Sequence, residues 1–203
     1  MDPLPPSFYD RDALDVAADL VGALVSARGV TLRITEVEAY RFPGDTANHA
    51  RMGRTARNAP MWGPPGRAYV YLCYGMHHML NFVTGPEGHA AAVLIRGGEP
   101  VDGHDIFATR RPDGRCDGPG KLAAALGLAT AHSGLPLDGT IAVRARREEP
   151  SLVAGPRIGI DYASEADRLA PWRLADATSR QVGHRGRLGV HPATPPAATL
   201  PPR

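Results

Sequence analysis

Residues 31 to 40, TLRITEVEAY, alternate with the two-residue period of a β-strand and set Leu32, Ile34, Glu36, Glu38 and Tyr40 on one parity. An acid on an apolar strand face is costly unless it is hydrogen-bonded or chemically employed. A chain with this strand must build a sheet whose buried layer accommodates two carboxylates, roughly 6.5–7 Å apart along the backbone by strand rise. Glu36 and Glu38 are therefore the first sign of a site. A second reading stays open, in which both are paired to arginines on a half-exposed sheet.

The flanking sequence places this strand in a larger fold. Asp10 is a candidate N-cap for a helix with Leu14, Ala17, Val21 and Leu24 on one face, ending near Gly29. Residues 41 to 68, rich in Gly, Pro, Asn and Arg, read as a long ordered loop, a length that usually carries function. Tyr69 to Tyr74 reads as a strand with Tyr69, Tyr71 and Cys73 on one face, Gly75 as a turn, and Met79 to Val83 as the returning hairpin partner. A further strand is expected over residues 90–96, then a helix before Arg110 and another over 121–128 behind Gly118-Pro119-Gly120. Residues 141–145 and 157–160 are weaker strand candidates. The expected class is α+β: one mixed domain over residues 1–183, with a curved antiparallel β-sheet core, surrounding helices and a protruding β-hairpin. Residues 184–203 are expected to form a Pro-rich, disordered tail.

Composition narrows the function classes. At 203 residues, 43% hydrophobic and 22% charged, the chain has the makings of one sizeable core. No run approaches the roughly 18 apolar residues of a membrane helix. The acidic, proline-bearing start MDPLPPSFYDRD is unlike a secretory signal, and Cys73 and Cys116 match no zinc spacing, so a cytoplasmic location is expected. Four of the eight histidines (49, 77, 78, 89) fall in the central region without an HExxH arrangement, and no metal is expected. Net charge is only +2, yet Arg41, Arg51, Arg54, Arg57 and Arg67 face one acid, Asp45, between residues 41 and 67. That patch reads as a phosphate footprint or as a solvated loop.

The chemistry follows from one acid among flat rings. Hydrolysis of an N-glycosidic bond passes through a cationic sugar, where a carboxylate serves as base for water and as a facing negative charge. Tyr40, His49 and Tyr71 are candidates for a slot in which an extruded base stacks; core packing is the competing reading. Tyr74, immediately before the turn glycine, reads as a projecting wedge or as a packed surface tyrosine. Lys121 is the one lysine, and its GPGK context lacks the full phosphate-loop pattern. Two other classes compete with a glycosylase: a non-catalytic nucleic-acid-binding module, and a sugar hydrolase using Glu36 and Glu38 as its pair. The second is a poor fit, since such enzymes flank the bond from two sides.

Several blocks resemble the alkyladenine (3-methyladenine) DNA glycosylases: EVEAY (36–40), the GD-x-x-x-H run (44–49), GRTARN (53–58), GPPGRAYVYLCYGMHHMLN (63–81), VLIRGGEP (93–100) and GPGKL (118–122). Weaker echoes are PRIGI (156–160) and APWRL (170–174). The resemblance implies Glu38 as the general base, Tyr40, His49 and Tyr71 as the base pocket, and Asn81 as the amide that screens purines. It further implies Tyr74 as the residue intercalated through the minor groove and Arg96 as the residue positioning water and a phosphate. Arg54, Arg57, Met76 and Lys121 are possible DNA contacts, and Glu36 is structural. It implies a monomeric, monofunctional enzyme of base excision repair, without cofactor or metal. Its partner is damaged double-stranded DNA, and its substrates are alkylated or deaminated purines such as 3-methyladenine, 7-methylguanine, hypoxanthine and ethenoadenine. Arg41-Phe42, Trp62 and Asp117 depart from the family pattern and bear on lesion preference and DNA affinity.

Overall fold

Antiparallel pairing organises the fold. The computed structural model describes residues 2–190. Short helices α1 (Pro6–Tyr9) and α2 (Ala13–Leu20) precede strands β1 (Leu24–Ala27) and β2 (Val30–Tyr40). The loop then leads to β3 (Ala68–Cys73), β4 (His77–Thr84) and β5 (Ala91–Asp102), followed by α3 (His104–Arg110) and α4 (Pro119–Ala125). The last third carries β6 (Ile141–Arg144), β7 (Leu152–Gly155), α5 (Glu165–Leu169), β8 (Arg173–Asp176) and β9 (Gly189–Val190). The strands form one sheet in the order β3-β4-β5-β2-β8-β7-β9, with β1 bridging β2 and β6. This is the expected α+β domain: a curled antiparallel sheet with few helices and a hairpin, β3–β4, at its edge.

Helix α2 is shorter than its apolar pattern suggests. Asp12, not Asp10, is the cap, accepting from the Leu14 N–H at 2.9 Å. The helix stops at Leu20, because Gly22 turns with φ +87° and the next backbone groups are captured by the sheet: Gly22 N–H donates to Ile34 O, and Ile34 N–H to Ala23 O. Leu24 therefore belongs to β1. Residues 157–160 are likewise not a strand; the strand is β7, just before Pro156, and Gly159 turns with φ +77°. His184 to Val190, assigned to the tail on composition, hold a 3-10 turn and β9, which pairs with β7. Residues 191–203 of that expected tail lie outside the described residues.

Strand β2 departs from its sequence reading in the way that matters most. Its pairing with β5 slips on either side of Glu36, with Ile34 opposite Gly98, Glu36 opposite Gly97 and Val37 opposite Ile95. A slip of this kind moves side chains to the other face. Leu32 and Ile34 lie in the main core, and beyond the slip Val37 and Ala39 take over that face. Glu36, Glu38 and Tyr40 thus do not share a face with the two aliphatic residues, as strict alternation predicts; they lie on the opposite one. Gly97 makes the slip possible, since a Cβ there would come within 2.5 Å of Gln181 O and 2.7 Å of Thr35 Oγ1.

Helices α2 and α4 cover the core face, with Leu20, Leu122 and Leu126 fully buried beside Leu32, Ile34, Leu80 and Ile95. Each such side chain contributes about 1.5–3 kcal/mol by leaving water. That face anchors the sheet, and the other face is left for chemistry.

Candidate active site

One transverse row of the sheet assembles the site. Register pairs Tyr69 with Asn81, Asn81 with Leu94, Leu94 with Glu38, and Glu38 with Arg173, so these five residues cross five strands on one face. Two residues along their strands, Tyr71, Arg96, Glu36 and Tyr40 share that face by the strand period.

Glu38 is completely buried. Its Oε1 accepts from the Ile158 N–H at 2.7 Å and faces Arg96 Nη1 at 3.2 Å; its Oε2 accepts from the Tyr40 hydroxyl at 2.8 Å. Each carboxylate oxygen accepts two hydrogen bonds. Among the described residues, these partners leave a position on Oε2 beside Tyr40. Glu36 is spent differently. Its Oε1 accepts from Arg96 Nε (2.9 Å) and Arg173 Nη1 (3.1 Å), and its Oε2 from the Gly183 N–H (2.7 Å). Arg173 is fully buried and also donates to Gly183 O. Glu36 thus ties β2, β5, β8 and the C-terminal crossing together, while Arg96 bridges both acids.

Tyr40, His49, Met61, Tyr69, Tyr71 and Asn81 line a cavity of about 20 Å³, room for a single water molecule. His49 and Tyr71 meet edge to face, with ring centres 4.6 Å apart, and Tyr69 and Tyr71 lie 5.3 Å apart at 31°. The Asn81 amide donates to Tyr69 O at 3.1 Å. Burial, and secondarily the negative charge of Glu38, hold the Tyr40 phenol well above its ordinary range, so its hydroxyl remains a donor. Burial likewise lifts Tyr69 to about 12. His49 keeps an exposed edge, but packing of its ring, with Arg57 and Arg51 nearby, pushes the imidazole below its ordinary value and favours the neutral form.

The loop that delivers His49 is ordered by three buried polar residues. Asp45 accepts from the Ala47 N–H and forms a forked pair with Arg157 at 2.6 and 2.9 Å, both side chains fully buried. Asn48 donates to Arg41 O and Ala90 O, and Asn58 donates to His49 O and Gly53 O. Arg157 also lies 4.7 Å from the Tyr40 ring centre and 4.8 Å from that of Trp172.

The structure therefore brings together Glu38, Tyr40, His49, Tyr71, Asn81 and Arg96. Tyr74 and Met76 stand at the hairpin tip, 89% and 70% exposed. The Tyr74-Gly75 turn has φ of +51° and +70° and closes through Met76 N–H to Cys73 O at 3.0 Å, the geometry of a type I′ hairpin. Arg57 reaches Leu72 O at 2.8 Å and sits over the Tyr71 ring, and Arg54 lies exposed on the same loop. Lys121 is engaged by Asp117 at 2.6 Å, and the Arg115 and Lys121 hydrogen bonds outweigh burial to hold that acid at about 2. Sequence reasoning missed Asp45, Arg157 and Arg173, whose partners lie more than 100 residues away. It also missed Tyr69 as a pocket wall, although its parity with Tyr71 was readable. Among the described residues no three His, Cys, Asp or Glu side chains converge as metal ligands would, and no helix is long and apolar enough to cross a membrane.

The profile of the methylpurine-DNA glycosylases matches residues 7–180. A Nitrosococcus oceani protein named "Putative 3-methyladenine DNA glycosylase" is 56% identical over 193 residues, 92% of this chain and 96% of its own. A protein of the same name from Methanocella arvoryzae is 47% identical over 90% of this chain and 96% of its own. The Arabidopsis thaliana protein named "DNA-3-methyladenine glycosylase" is 47% identical over 86% of this chain and 71% of its own. With a sheet face that joins one buried acid to an aromatic cavity, and a family match over most of its length, the chain belongs to the methylpurine-DNA glycosylase family.

Proposed function

We propose that the protein is a monomeric, monofunctional base-excision glycosylase that removes alkylated and deaminated purines from duplex DNA. The carrying observation is the 2.8 Å bond from the Tyr40 hydroxyl to Glu38 Oε2, which fixes a buried carboxylate to the wall of a ring-lined cavity. A damaged purine rotates out of the duplex and enters between Tyr40, His49 and Tyr71, moving the rings that now leave room for one water. Damaged bases unstack at lower cost, which contributes selectivity. Glu38 takes a proton from a water bound at Oε2; the oxygen attacks the anomeric carbon, and the bond to the purine nitrogen breaks with its electron pair leaving on the base. The carboxylate also faces the cationic sugar of the transition state. Arg96 holds Oε1, so the free acceptor position of Glu38 is directed. Asn81 screens the purine edge.

Tyr74 fills the space left by the rotated nucleotide, as an exposed ring on a hairpin tip suits. Arg54, Arg57 and Met76 contact the DNA around it. Lys121 holds Asp117 and does not line the cavity, which fits water rather than an amine as nucleophile. The names of the relatives support 3-methyladenine as a substrate; 7-methylguanine, hypoxanthine and ethenoadenine belong to the same reading.

Incubation with alkylated duplex followed by alkali tests this. Strand cleavage at the lesion is expected, because hydrolysis leaves an alkali-labile abasic site. Tight binding with an intact strand would replace the reading with a non-catalytic nucleic-acid-binding module.

A further inference from the structure

Arg157 is buried, and its guanidinium stacks on Tyr40 at 4.7 Å and on Trp172 at 4.8 Å. Tyr40 lines the cavity, whereas Arg157 does not. The cation therefore covers the ring face turned away from the cavity, and an incoming base would stack on the other. Arg157 is anchored by both Asp45 oxygens and by Ala39 O, while its Nε has no partner among the described residues. The next residue, Ile158, gives its N–H to Glu38. One short segment thus supports the back of the slot and one oxygen of the acid.

A cation on one face of an aromatic ring draws on the same electron density that attracts a cation to the other face. The two charges would also repel across the ring, since little water intervenes in a buried site. Asp45 offsets part of this repulsion through its forked pair. Arg157 and Asp45 together fix how electron-rich the slot face of Tyr40 is.

We propose that Arg157 is a positioning residue that sets lesion preference: its charge behind Tyr40 restrains the slot's preference for cationic N-alkylated purines and so keeps neutral purines competitive. This rests on the glycosylase reading above. It distinguishes cationic from neutral lesions, and it assigns the distinction to a side chain outside the cavity lining.

The test is single-turnover release of 7-methylguanine (cationic) and hypoxanthine (neutral) from duplexes alike in sequence. Arg157→Met, which removes the charge, is expected to raise the cationic-to-neutral rate ratio by about tenfold, the size of a modest cation–π contact. Arg157→Lys keeps the charge and loses the fork, so both rates should fall while the ratio stays. Asp45→Asn uncovers the charge and should lower the ratio. An unchanged ratio in Arg157→Met, with both rates falling together, overturns the proposal and leaves Arg157 a structural anchor. Should Arg157→Met fail to show a cooperative melt, Asp45→Asn decides: a lower ratio supports the proposal and an unchanged one overturns it. Release of neither lesion by the unmodified chain would instead sink the glycosylase reading itself.

Discussion

Glu36 and Glu38 stand two residues apart on one strand, share Arg96, and are put to opposite uses. Glu36 accepts from two arginines, Arg96 and Arg173, and from the Gly183 N–H, whereas Glu38 accepts from the Ile158 N–H and from Tyr40 on the cavity wall, where its Oε2 keeps an acceptor position. Neighbouring carboxylates with the same burial are thus told apart by their partners alone.

Glu38→Gln is expected to fold, since the amide oxygen can still accept from Ile158 or Tyr40. It should bind damaged duplex and lose base release by about 10²–10⁴-fold, the usual worth of a general base. Single-turnover kinetics beside a binding curve check this, and normal turnover would refute the assignment.

Glu36→Ala should instead fail as a structural change. It leaves Arg173 buried without its acid, and breaking a buried pair costs about 3–5 kcal/mol. Denaturant unfolding should show that loss. A variant as stable as the parent but inactive would mean that Glu36, not Glu38, carries the chemistry.

Tyr74→Gly should separate stability from recognition. The left-handed backbone at φ +51° disfavours a side chain, so glycine stabilises the turn by up to roughly 1 kcal/mol. Lesion binding should weaken at the same time, because the exposed ring is gone. Melting and binding that move in the same direction would contradict the wedge role.

Acid should expose the environment of His49. Packing and nearby arginines lower its folded pKa, so below the ordinary 6.5 the unfolded chain takes up the proton more readily and stability falls with pH. The fall levels off once folded His49 protonates as well. Melting temperatures of the parent and His49→Gln, followed from neutral to acid, should diverge below 6.5, with the parent losing more. Parallel curves would remove His49 as the cause.

Salt should weaken DNA binding steeply. If exposed Arg51, Arg54 and Arg57 each meet a phosphate, affinity should drop roughly 40-fold between 50 and 200 mM salt. A flat response would mean that the patch is a solvated loop.

Much of this was readable from local pattern. Strand β2, the hairpin with Tyr74-Gly75 at its turn, and α4 behind Gly118 all follow from short-range periodicity and turn chemistry. Glu38, Tyr40, His49 and Tyr71 were identifiable as a group; the three rings meet around one cavity, with Glu38 bonded to Tyr40 on its wall, once β2, β3 and the loop are placed. The parity of Glu36 and Glu38 was not readable, because the slip depends on Gly97 in a strand some 60 residues away accepting close approach from Thr35 and Gln181. Asp45 with Arg157, and Glu36 with Arg173, were hidden for a related reason: in a chain whose basic residues are all arginine but one, an arginine gives no local sign that it ends up buried.

The slip beside Thr35 also dictates what kinds of change the gene can absorb. Exchanging one residue for another along β2 leaves the acids where they are. Removing the codon for Thr35 would take out the extra residue and leave the acids opposite Ile34, whereas removing one beyond it, such as that for Ala39, sets Glu38 and Tyr40 on opposite faces by the strand period and breaks the bond between them. Beyond the slip the strand's spelling can change, but its letter count is fixed.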